Sequence, residues 1–363
     1  MAVLALVSAA CATSPGSVSG PALDLTEPVW RTVVSSRGVA PDDVPSPFEA
    51  TPEMVDAALL AAGSGTAVER LDRIQRSLFD PAAYTFEYEG NTTLTAREAF
   101  AARRGNCVSF TNLFIALARA AKVPVQAAVL GTRGESRKQG DLVVVYAHLV
   151  AVHRGPQGLM AYDFSHTRMG LVTSVKLLDD PGVAAILENN RGTADLRKGR
   201  LASAREHLER AVALLPDYAP VQGNLGIALL RAGDAAAAST RFEKALRLAP
   251  DDPSTLFNIA SLYRQAGRVG DALALLRKAD LGSASPWLLL ARGDLEMSQG
   301  DIAAALRSYR KAASRGPELV EPLLAIARAE KARGNDAAAR RALDKALELS
   351  PESEEARNLV SAM

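Results

Sequence analysis

Residues 103–124 read RRGNCVSFTNLFIALARAAKVP, a loop that turns into a helix at a cysteine. From Val108 onward the apolar residues Phe110, Leu113, Phe114 and Leu117 recur at helical spacing, and the run stops at Lys122-Val123-Pro124, where proline forbids continuation. Cys107 is therefore expected at or next to the helix N-terminus. Unpaired backbone N–H groups and the helix macrodipole stabilise a thiolate there, so its pKa should fall and its nucleophilicity at neutral pH should rise. A buried structural cysteine is the competing account of the same position.

Upstream of this helix, Pro-rich residues 41–52 lead to a predicted helix over 67–78 with Leu71, Ile74 and Leu78 on one face. Thr95-Ala-Arg-Glu98 then has the pattern of a capping box opening a short helix up to Arg103. Downstream, strands are predicted at 125–130, 141–153 and 159–164, dense in β-branched and aromatic residues. The polar segment Gly131–Gly140 between the first two is expected as a solvated loop or a lid. Helices followed by an antiparallel sheet indicate an α+β domain.

The second half of the chain is periodic. Gly199, Gly233, Gly267, Gly300 and Gly334 are spaced 34, 34, 33 and 34 residues apart, and Ala211, Ala245, Ala279, Ala312 and Ala346 keep the same rhythm. Pro216, Pro250, Pro317 and Pro351 follow four of those alanines by five residues. Such a period makes pairs of helices, broken by the glycine, closely packed at the alanine and ended by the proline. The pattern Leu225-Gly226, Ala238, Phe242, Ala245 and Pro250 resembles the tetratricopeptide repeat. Five units are expected over 184–363, with a local kink at Leu281-Gly282-Ser283 and residues 352–362 as a last covering helix. That resemblance implies a concave groove for a peptide or partner protein.

Composition narrows the function classes. The chain has 363 residues, 48% of them hydrophobic, and a formal charge of +1, and no Lys/Arg run stands out. Nucleic acid is thus not expected as the main partner. Two cysteines so far apart make no disulfide framework. Residues 1–11 form an apolar stretch that ends in small residues before Cys11, resembling the end of a bacterial lipoprotein signal in which that cysteine is lipidated; the basic leading region is absent. Residues 12–50 then serve as a flexible tether, and the protein would face the periplasm on a lipid anchor, or else lie in the cytoplasm with a frayed apolar terminus.

Thiol catalysis needs a base and a group to orient it. Of the four histidines, His207 falls in a repeat helix, leaving His148, His153 and His166. Strand alternation puts His148 on the face of Val150 and Val152, and His153 on the other. A four-residue hairpin loop, Arg154–Gln157, would oppose His153 to Gly158 and His148 to Asp163, whereas a loop of three or five residues would lose the pair. Zinc is not expected, since close ligand pairs such as C-x-x-C are absent, and neither a P-loop nor a dinucleotide fingerprint occurs, so no cofactor is expected.

Arg104-Gly105-Asn106-Cys107 with its helix through Val123-Pro124, then Ala147-His148-Leu149-Val150, then Tyr162-Asp163 resemble the transglutaminase-like superfamily of the papain-type fold. The likeness covers roughly residues 67–165, within a domain placed at 51–183. It implies an α+β papain-type domain followed by an all-α repeat solenoid. It also implies Cys107 as nucleophile, His148 as general base and acid, and Asp163 as the residue orienting His148. His153 and His166 are then bystanders. The Cys107 N–H is the natural first oxyanion donor, with Asn91 or Tyr88 open as the second. The expected activity is thiol-dependent amide hydrolysis on a protein or peptide brought by the repeats. The alternative is a catalytically silent adaptor that binds peptides and assembles an envelope complex.

Overall fold

A computed structural model describes residues 5–7, 27–80, 85–132, 136–139, 142–145, 148–155, 158–164, 172–278 and 285–362. In chain order the elements are β1 (Ala5–Val7), α1 (Glu27–Ser36), a 3-10 turn at Pro41–Asp43, α2 (Pro52–Ala62), α3 (Ala67–Phe79), β2 (Glu87–Tyr88), α4 (Ala96–Ala102), β3 (Arg104–Gly105) and α5 (Cys107–Ala120). There follow β4 (Gln126–Thr132), β5 (Ser136–Gln139), β6 (Leu142–Val145), β7 (His148–Gly155), β8 (Gly158–Tyr162) and β9 (Val172–Leu178). The helical array comprises α6 (Asp180–Arg197), α7 (Leu201–Leu214), α8 (Ala219–Arg231), α9 (Ala235–Leu248), α10 (Pro253–Gln265) and α11 (Val269–Lys278). It continues through α12 (Pro286–Ser298), α13 (Ile302–Arg315), α14 (Glu321–Ala332), α15 (Asp336–Leu349) and α16 (Glu354–Ser361). Two compact units result: Met1–Glu135 with Tyr146–Ala228, and Ser136–Val145 with Leu229–Met363.

In the first unit the short helices start where local chemistry starts them. Thr66 and Thr95 accept from the amides of Glu69 and Glu98, whose carboxylates return to the cap N–H groups at 2.9 and 2.8 Å. Each box satisfies two amide donors that the helix cannot pair internally. The central helix is α5, buried continuously from Val108 to Ala118. Arg70 donates to the Ala121 carbonyl at its C-terminal end, placing positive charge where the helix dipole is negative.

Under α5 lies an antiparallel sheet in the order β1-β8-β7-β4-β9. Its two faces follow the two-residue period of extended chain. Ala127, Val129, Leu149, Ala151 and Tyr162 join Phe110, Leu113 and Phe114 of α5 in the main core. Ala128, Leu130, Val150, Val152 and Ala161 form a separate cluster on the opposite face.

The register differs from the expected one. The β7–β8 ladder runs from Ala151↔Tyr162 to Gly155↔Gly158, so two residues, not four, join the strands. Gly158, paired with Gly155 at the end of the ladder, has a φ of +117°, in the region that favours glycine. Counted along this ladder, Asp163 comes opposite Val150 rather than His148. The shift is by two residues, which preserves the face while moving Asp163 along the strand direction. The expected strand at 141–153 is also two elements: β6 pairs with β5, and β7 with β4 and β8.

α6 begins the helical array and is buried from Asp180 through Asn190. Its Ala184 and Ala185 pack against Trp30, Val34, Val39 and Val44, while Val183 and Ile186 belong to the core around α5. Arg119 of α5 forms a two-pronged ion pair with Asp180 at 2.8 and 2.9 Å, its guanidinium lying 4.5 Å from the Phe48 ring centre.

Among the described residues the array follows as helix pairs, α6/α7 through α14/α15, with α16 last. Ala211, Ala245, Ala312 and Ala346 are all 0% exposed, as close helix approach requires. Ala279 and the expected kink at 281–283 fall outside the described residues. In the second unit, α16 covers the last pair by placing Ala356 among Leu324, Leu343 and Ala346. The same unit contains the β5–β6 hairpin, and β6 packs against α10.

Candidate functional site

Cys107 is the first residue of α5, half-buried and in no disulfide. The sequence around it builds a rigid helix start. Asn106 is the cap: its Oδ1 accepts from the Ser109 N–H at 3.2 Å, and its own N–H donates to Ser109 Oγ at 3.3 Å. Ser109 Oγ also accepts from the Leu94 N–H at 2.8 Å, and the Asn106 N–H donates to the Thr92 carbonyl at 3.0 Å. Asn106 Nδ2 donates to Thr93 Oγ1 at 2.7 Å, and Asn112 Nδ2 to the Leu94 carbonyl at 3.1 Å. Segment 92–94 is thus fastened to the first turn of α5. At Gly105, φ is +157° and an added Cβ would lie 2.4 Å from Ser109 Cβ, so only glycine lets the chain approach its own helix this closely.

The same segment is braced from α6. Arg191 Nη2 donates to Glu98 at 2.7 Å, Arg191 Nε to the Thr93 carbonyl at 3.4 Å, and Arg197 Nη1 to Asn91 Oδ1 at 2.7 Å. Tyr88, the other expected second oxyanion donor, pairs along β2 with Gly105, two residues before the thiol. None of these braces was expected from sequence. Asn106-x-x-Ser109 has the spacing of a capping box but not its usual Glu or Gln, and the α6 arginines act over about a hundred residues.

One turn along α5 from Cys107, Thr111 Oγ1 donates to the Leu149 carbonyl at 3.2 Å. This bond draws the beginning of β7 to the beginning of α5. His148 is the first residue of β7, opposite Leu130 in the ladder; its side chain lies outside the described residues. Its neighbours on either face are described: Leu149 and Ala151 belong to the core around α5, Val150 and Val152 to the cluster on the far face. Val150, two residues after His148, thus lies on the sheet face away from α5.

Asp163 follows the last residue of β8 and is 7% exposed. It is flanked by Tyr162 and Phe164, whose rings lie 4.9 and 5.3 Å from that of Phe114. Burial pushes the Tyr162 phenol above its ordinary pKa, and its hydroxyl donates to Asp72 at 3.4 Å. It is a neutral anchor of the core.

His153 and His207 have other partners. His153 Nδ1 lies 2.8 Å from the Pro124 carbonyl, and His207 Nδ1 is 2.8 Å from the buried Glu188 carboxylate. His166 and the expected lipidation site Cys11 fall outside the described residues. Among the described residues no group of three His, Cys, Asp or Glu side chains could hold a metal ion. Among them too, no helix is long and apolar enough to cross a membrane.

A transglutaminase-like superfamily model matches residues 57–157, and three tetratricopeptide-repeat models match residues 183–251, 224–286 and 296–363. No curated protein matches the chain. Among solved structures, PilF of Pseudomonas aeruginosa is similar at 17% identity, over 49% of this chain and 82% of that one, with a TM-score of 0.44. A thermophilic tetratricopeptide-repeat protein of Thermus thermophilus is similar at 21% identity, over 49% and 98%, with a TM-score of 0.43. PilW, a type IV pilus biogenesis factor, is similar at 24% identity, over 50% and 84%, with a TM-score of 0.43.

Proposed function

Since the chain carries a transglutaminase-like domain followed by tetratricopeptide repeats, we propose that it is a thiol-dependent acyl-transfer enzyme, hydrolysing amide bonds in a protein or peptide recruited by the repeats. The observation that carries this reading is Cys107 at the first position of a capped helix, with the start of β7 bonded to that helix one turn away. In this scheme Cys107 attacks an acyl carbonyl, His148 takes the thiol proton and returns it to the leaving amine, and Asp163 orients His148. Water then resolves the thioester. The Cys107 N–H and the Tyr88 hydroxyl, the latter carried beside Gly105, are the proposed oxyanion donors. The domains are taken as 51–183 and 184–363, with α1 and the rest of α6 packed onto the first.

Iodoacetamide labelling tests the scheme. The thiol is expected to alkylate at pH 6 about tenfold or more faster than an unperturbed cysteine, whose pKa of about 8.5 leaves well under 1% thiolate there. His148→Ala should remove most of that advantage. Labelling with an ordinary half-point near pH 8.5, unchanged by His148→Ala, would remove the enzyme reading.

A second reading, a catalytically silent adaptor that binds peptides through its repeats, is favoured by one observation: Val150 and Val152 lie on the sheet face away from α5. The labelling experiment decides between the two. We propose also that Cys11 carries a lipid that holds the protein at the bacterial envelope. Cys11→Ser is then expected to move the protein from the membrane fraction to the soluble one; unchanged fractionation would refute the anchor.

A further inference from the structure

α10 is unlike the other groove helices of the second unit. From Ser254 to Leu262 every residue is buried, polar ones included: Ser254, Thr255, Asn258 and Ser261. An amphipathic repeat helix ordinarily keeps one face in water. Ser261 stands six residues before Gly267, and the residues six before Gly300 and Gly334 are Asp294 and Arg328, both exposed. Ser261 is 6% exposed, and its hydroxyl makes no hydrogen bond. Something therefore covers on α10 the surface that α12 and α14 leave open.

The cover is the chain's own hairpin. Beyond its repeat neighbours α9, α11 and α12, α10 packs against β6. β5 and β6 form a two-stranded sheet of their own, so one edge of β6 is unpaired among the described strands. The β6 sequence Leu142-Val143-Val144-Val145 is an aliphatic strand of the kind that draws unwanted strand pairing when its edge is open. Asn258 has the side chain for such an edge, since an amide offers a donor and an acceptor together as backbone does. Asn190 and Asn224 hold the same repeat position in the two preceding units, nine residues before Gly199 and Gly233.

We propose that the outer face of α10 is a strand-binding surface, that β6 is its ligand within the same chain, and that a partner presenting an extended aliphatic strand binds there by displacing the hairpin. The displacement is transmitted through the chain. Three residues separate Thr132, the end of β4, from β5, and two separate β6 from His148. From Val145 to His148 the chain spans at most about 11 Å, so undocking of β6 loosens the start of β7. Resting on the role given to His148 above, undocking is expected to slow Cys107 alkylation.

Hydrogen exchange on the full-length protein tests the docking independently of catalysis. Ser261→Arg introduces at α10 the arginine that α14 carries naturally at this position. It is expected to raise the exchange of amides 142–145 about tenfold or more, with α14 unchanged. In a second variant Ser136–Val145 is replaced by a Gly-Ser linker; α10 should then exchange about tenfold faster, and the synthetic peptide SRKQGDLVVV added in trans should restore its protection. Equal exchange of α10 with and without the hairpin would overturn the proposal. Alkylation of Cys107 in Ser261→Arg is expected to fall threefold or more. An unchanged rate with undocked β6 would overturn the coupling, whereas a wild-type thiol that does not react would overturn only the enzyme reading.

Discussion

Gly105→Ala is expected to slow Cys107 alkylation by about 100-fold, the order of loss that follows a displacement of about 1 Å in a reacting group. The added Cβ would stand 2.4 Å from Ser109 Cβ and 2.7 Å from Ser109 Oγ, inside any allowed contact. Neither atom belongs to the end of a flexible chain. Ser109 is buried and bonds to Asn106 and Leu94, so relief of the clash must open the cap of α5. Overpacking of this kind also costs about 1–3 kcal/mol of stability, readable in urea denaturation. Gly90→Ala is the local control, because its Cβ would meet only a Tyr88 ring carbon at 3.6 Å. Wild-type labelling and stability in Gly105→Ala would show that the cap is not what holds the thiol.

Arg119→Met is expected to lower stability by about 3–5 kcal/mol, the usual result of removing one partner of a buried ion pair. Arg119 and Asp180 expose only 10% and 8% of their side chains. The substitution leaves the Asp180 carboxylate buried without its two-pronged partner and takes the guanidinium from the face of Phe48. Because the loss comes from the stranded charge, Arg119→Met with Asp180→Leu should recover most of it, as apolar replacement of both members often does. Equilibrium denaturation of the two variants separates these outcomes. A loss below about 1 kcal/mol in the single variant would mean that the pair behaves like an exposed one.

Features specified by neighbours in sequence were legible from it. The Thr95–Glu98 box, the start of α5 at Cys107, its stop before Pro124 and the helical repeat array depend on residues within one or two turns, or on a period. The sheet was less legible, because register is set by the connection. Gly155 and Gly158 close a two-residue link where a four-residue loop suits the same letters, and the opposition of His148 to Asp163 changes with it. β5 was illegible for another reason. Ser136-Arg-Lys-Gln139 has no strand composition and is extended because β6 pairs with it. β9 did carry a signal, β-branched Val172, Thr173 and Val175, which lay beyond the reach of the hairpin pattern. At the site, the cysteine could be placed from its helix alone, whereas Asn91, Thr93 and Glu98 owe their fixed positions to Arg191 and Arg197, far along the chain.

α6 is at once the opening helix of the repeat array and the outer wall of the thiol-bearing domain. A gene cut where the repeat match begins, at residue 183, would leave Asp180 at a frayed end and discard Arg191 and Arg197. The repeats therefore cannot be gained or lost as an independent cassette at that point. Recombination that exchanges the array for another must either carry α6 over intact or cross after it, and the first repeat is inherited with the domain it closes.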